Sequence, residues 1–70
     1  MRALNSNDFI NILKSHGFIF DRQAKGSHEI WFNSNTRKRV VVPAHGSKDL
    51  PKPTLRKMIK QSGVDPSIFR

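Results

Sequence analysis

The chain has no cysteine, which excludes disulfide staples and thiolate metal sites. Carboxylates are scarce too: five Asp and Glu are spread over 70 residues, with none of the clustering that holds a divalent cation. The three histidines show no His-x-x-x-His spacing, and neither a P-loop nor a dinucleotide fingerprint occurs. No run approaches the ~20 apolar residues of a membrane span, and the opening MRALNSNDF lacks the apolar stretch of a signal peptide. These absences lead us to expect a soluble, cytoplasmic protein with no metal, no organic cofactor and no membrane partner. The length predicts a single domain over residues 1–70, with its core at about 5–64 and a short tail at 65–70. A chain this short buries roughly 60% of its unfolded surface, so any chemistry has to be carried on the outside.

Positive charge is what the chain has in excess. Thirteen Lys and Arg against five acids give +8 at pH 7 and a sequence pI near 11.0. Arg37, Lys38, Arg39, Lys48, Lys52, Arg56, Lys57 and Lys60 fall in one stretch whose only acid is Asp49. Such density favours RNA or DNA, or an acidic protein, over a merely solvated face.

The hydrophobic pattern predicts αβββα. LNSNDFINILKSHG reads as a helix capped by Asn5 or Ser6. If Asn5 is the cap, Leu4 and Phe9 take the positions of a hydrophobic staple, and Gly17 is the stop. FIFDRQ (18–23), HEIWFN (28–33) and KRVVVP (38–43) read as three antiparallel strands joined by the turns AKGS and SNTR. In the first strand, Phe18 and Phe20 are expected on one face and Ile19 on the other. KPTLRKMIKQSG is a second helix, with Pro53 in its first turn, Leu55, Met58, Ile59 and Ser62 on one stripe, and Gly63 at its end. The class is α+β, with two amphipathic helices on one face of a three-stranded sheet and the other face partly open.

With so few catalytic group types, the residues suit one reaction in particular. RNA carries its own nucleophile, the 2′-hydroxyl, next to the phosphodiester that it can attack. An enzyme need only remove that proton, hold the geometry and neutralise charge on phosphorus. Imidazole, with an ordinary pKa of about 6.5, is suited to the first task, and Lys and Arg to the last. His16, in the last turn of the first helix, fits a structural role there. His45, in the loop PAHGSK, is a candidate accessory contact to phosphate. His28 follows Gly26 and Ser27, which allow a ligand close to the backbone. A lone histidine opening a strand is otherwise a structural residue, and the residues alone leave both readings open. Trp31, alternating with His28, is either packed in the sheet or available for stacking on a base.

GSHEIW, RVVVPAHG and LPKPTLRKMIKQSGV, together with the opening LNSNDFINILKSHGF, resemble the HicA family of toxin–antitoxin mRNA interferases. The resemblance spans Asn5 to Val64. It implies an αβββα fold like that of a double-stranded-RNA-binding domain, and an endoribonuclease that cleaves mRNA without a metal. It also implies that the histidine of the GSH triplet, here His28, is catalytic, and that a HicB-type antitoxin covers the active surface. Family members usually carry glycine where this chain has Pro53. Beside His28, the expected RNA contacts are Lys25, Ser27, Arg37, Lys38, Arg39, His45, Lys48, Lys52, Arg56, Lys57 and Lys60, and the toxin alone is expected to be monomeric. The alternatives are a non-catalytic RNA-binding module and a DNA- or protein-binding domain.

Overall fold

Asn5 opens the first helix by accepting the Asp8 N–H on its side-chain oxygen at 2.7 Å. The computed structural model describes residues 3–44 and 46–69. In chain order it has α1 (Ser6–Ser15), β1 (Ile19–Gln23), β2 (His28–Asn33), β3 (Lys38–Pro43), α2 (Lys52–Ser62) and a 3₁₀ turn (Pro66–Phe69). The fold is thus αβββα. Leu4 and Phe9 are both buried, as a staple around the Asn5 cap requires. Gly63 ends α2 in the left-handed conformation (φ 68°), which a residue without Cβ adopts at no steric cost.

The strands form an antiparallel sheet in the order β1-β2-β3. Trp31 lies between Phe20 of β1 and Val40 of β3, and His28 opposes Pro43. Because side chains alternate across a strand, the even-numbered residues of β2, His28, Ile30 and Phe32, share one face with Val41, Pro43 and Arg39 of β3. Trp31, Val40 and Val42 project to the other face and are buried with Phe9, Leu13, Leu55, Met58 and Ile59 of the helices. One face of the sheet is therefore the core and the other lies open.

Two contacts orient α2 along the β3 edge. The Val41 N–H, which points away from β2, donates to the Gln61 side-chain carbonyl at 3.4 Å. Further on, Gly63 lies against the Lys38 stem, so closely that an added Cβ would sit 3.3 Å from Lys38 Cε. Hence α2 starts near the Pro43 end of β3 and finishes near Lys38.

The first strand starts one residue later than expected and keeps the expected faces: Phe20 pairs with Trp31 of the core face and Ile19 with Phe32 of the open face. Phe18 precedes it as a buried core residue, while Phe20 remains 47% exposed and meets the Trp31 ring edge-on. The physical reason for that exposure is position: β1 is an outer strand, and the helices pack mainly against β3. The pairing shifts between Phe20 and Arg22. That bulge follows Phe20, so the alternation of Phe18, Ile19 and Phe20 is intact. At the C-terminal end, Phe69 is fully buried and stacks on Phe9, with ring centroids 4.9 Å apart.

Candidate functional site

Three chain segments hold the backbone around His28. Its carbonyl accepts the Ala24 N–H at 2.8 Å, closing the β1–β2 turn, and the Ser27 carbonyl accepts the Ala44 N–H at 2.9 Å. On the neighbouring strand, the carbonyl of its partner Pro43 accepts the hydroxyl of the buried Ser6 from α1. The main chain is thus fixed from both sides, while the imidazole itself is exposed.

Beside that ring is a groove of about 330 Å³ lined by His28, Val41, Pro43, Thr54, Lys57, Met58 and Gln61. The sheet supplies its floor and α2 the opposite wall. At 3.6 residues per turn, Thr54, Lys57, Met58 and Gln61 form one stripe along the helix, which runs beside the open face of the sheet. An imidazole and a primary ammonium group therefore share one solvent-open groove, flanked by a hydroxyl and a side-chain amide. That combination offers a proton acceptor, a fixed cation for a phosphate and neutral hydrogen-bonding groups.

The remaining expected RNA contacts are divided among several places. Lys25 and Ser27 lie in the exposed turn leading into His28, at the same end of the sheet as the groove. Lys48 lies in the exposed segment before α2, and Lys52 is its first residue. Arg56 and Lys60 occupy the other flank of α2, where they line a second groove with Ile59, Gly63, Val64, Asp65 and Pro66. Arg37 in the β2–β3 turn and Lys38 and Arg39 at the start of β3 lie at the far end of the sheet; Lys38 is five residues from Pro43, or roughly 17 Å along the strand. Lys38 belongs to the helix side, against Gly63, whereas Arg39 is on the open face with its guanidinium carbon 4.4 Å from the Phe32 ring centroid. His45 lies outside the described residues. His16 is exposed, and its carbonyl accepts from Asn33.

Trp31 is 6% exposed, donates from its indole N–H to Glu29 at 3.1 Å and has the Lys14 ammonium 5.7 Å from its ring. It is a packed residue. Among the described residues, no three His, Cys, Asp or Glu side chains come together as metal ligands, and no helix is long and apolar enough to cross a membrane.

The family profile described as the HicA toxin of bacterial toxin–antitoxin systems matches residues 6–64, which takes in both helices and all three strands. This chain belongs to the HicA toxin family. It is accordingly a toxin with an antitoxin partner. No curated protein matches the sequence.

Two groove residues of this HicA toxin, Thr54 and Gln61, escaped the sequence reading. Their spacing from Lys57, three residues before and four after, places all three on one helix flank. That signal was present, but the strand against which the flank lies could not be read from it.

Proposed function

We propose that this HicA toxin is an endoribonuclease that cleaves mRNA, with His28 as general base. In the proposed step, the imidazole of His28 takes the proton of a 2′-hydroxyl, and that oxygen forms a bond to the adjacent phosphorus. The bond from phosphorus to the 5′-oxygen breaks, and the departing oxygen takes a proton from water or from a lysine such as Lys25. The products are a 2′,3′-cyclic phosphate and a 5′-hydroxyl end. Lys57 faces the phosphate from the α2 wall and stabilises its developing negative charge, while Lys25, Ser27, Lys48 and Lys52 engage flanking phosphates. No group in this sequence of events requires a metal ion.

The observation that carries this reading is the common groove of His28 and Lys57, open to solvent. A polymer as large as mRNA can reach only such a surface. The antitoxin, on this reading a HicB-type protein, presents acidic groups to a chain of net charge +8 and covers His28. The free toxin acts as a monomer in the cytoplasm, where mRNA is found.

The test is incubation of purified toxin with end-labelled RNA in EDTA, followed by analysis of the product ends. Cleavage leaving 2′,3′-cyclic phosphates is the expected result. RNA that is bound but never cut would favour a non-catalytic RNA-binding module instead.

A further inference from the structure

The open sheet face runs on from the His28 groove. Val41 belongs to both: it lines the groove and pairs with Ile30 in the middle of the face. Beyond it, Phe32 and Arg39 are cross-strand partners, and the Arg39 guanidinium lies over the Phe32 ring. Phe32 is half-buried, and on its other side is paired Ile19, which is 62% exposed. Arg22 of β1, opposite Ile30, adds a second cation to this face.

We infer that the Phe32–Arg39 pair is a stacking subsite for a base of single-stranded RNA whose scissile phosphate lies at His28. This rests on the ribonuclease reading and names the form of its substrate. An aromatic ring accompanied by a guanidinium plane receives any base by stacking, and the two arginines attract the phosphates on either side. Ile30 and Val41 form an apolar floor between the two ends. His28 and Phe32 are four residues apart on one face, or about 13 Å, so the subsite receives a base beyond the nucleotides being cut. A duplex keeps its bases stacked on one another and cannot use it. The guanidinium groups of Arg22 and Arg39 on this face suit a polyanion and argue against a hydrophobic protein surface as its occupant.

The experiment is a binding measurement that does not depend on cleavage. Affinity for a fluorescein-labelled 2′-O-methyl RNA octanucleotide, which lacks the nucleophile, is compared for wild type, Phe32→Leu and Phe32→Tyr. A matching duplex and a dinucleotide serve as controls, and melting curves check folding. Loss of one base stack weakens octanucleotide binding about tenfold in Phe32→Leu, while Phe32→Tyr keeps the ring and binds as wild type does. Dinucleotide and duplex binding stay unchanged. Equal octanucleotide affinity in folded Phe32→Leu overturns the subsite and leaves the ribonuclease reading standing. A defect only in antitoxin capture also overturns it and assigns the face to the protein partner. A wild type that binds the octanucleotide through Phe32 but cuts no RNA overturns the ribonuclease reading alone.

Discussion

The side-chain amide of Asn33 donates to the carbonyl of His16 at 2.9 Å, tying the last residue of β2 to the end of α1. Its carbonyl oxygen accepts the Asn35 N–H at 2.9 Å and the Thr36 N–H at 3.3 Å, so one buried side chain also shapes the β2–β3 turn. Replacing it leaves a helix-terminal carbonyl and two turn N–H groups without their partner. Asn33→Ala is expected to lose about 1–3 kcal/mol, read as a lower urea midpoint. RNA cleavage per folded molecule should be unchanged, because Asn33 is at the opposite end of the sheet from His28.

His28→Ala should show the reverse. The ring is exposed, so stability should stay within about 0.5 kcal/mol of wild type, whereas loss of a general base lowers the rate by about 10²–10⁴-fold. RNA affinity persists through the lysines. Melting temperature and cleavage rate measured on one preparation separate the two roles. A lower melting temperature with proportionate loss of activity would mark His28 as a structural residue.

Lys57 and Lys60 should differ in their effects, though both are exposed cations of α2. Lys57 lines the His28 groove and Lys60 lines the groove on the other flank. Lys57→Ala should reduce the slope of log K against log salt by about 0.7, the value for one phosphate contact with a single strand. Lys60→Ala should change it less. Equal effects would mean that RNA engages both flanks of α2.

Arg37 has φ 59° in the β2–β3 turn, the left-handed region that is costly for a residue with Cβ. Its N–H donates to the Asn33 carbonyl at 2.7 Å, and glycine retains that bond. Arg37→Gly should therefore raise stability by about 0.5–1 kcal/mol, the relief of strain exceeding the added entropy of the unfolded chain. Urea unfolding of the two proteins measures it.

Local patterns determined the elements. The Asn5 cap, the stripe of Leu55, Met58, Ile59 and Ser62, and the Gly63 stop are signals carried within a few residues, because a cap or a helical face is completed by near neighbours. Alternation in HEIWFN and KRVVVP likewise put Trp31 and His28 on opposite faces. The resemblance centred on GSHEIW named the family and singled out His28. What lay beyond local pattern was everything set by packing between distant segments. Alternation gave Phe20 its face, shared with Trp31, but not its burial: an outer-strand position leaves it half exposed. Nothing in PSIF marks Phe69 for complete burial against Phe9, since that contact joins the two ends of the chain. The basic helix reads as one cationic surface in sequence. Only its packing along β3 turns Lys57 toward His28 and leaves Arg56 and Lys60 on the far flank, because rotation of a helix about its axis is fixed by what it buries.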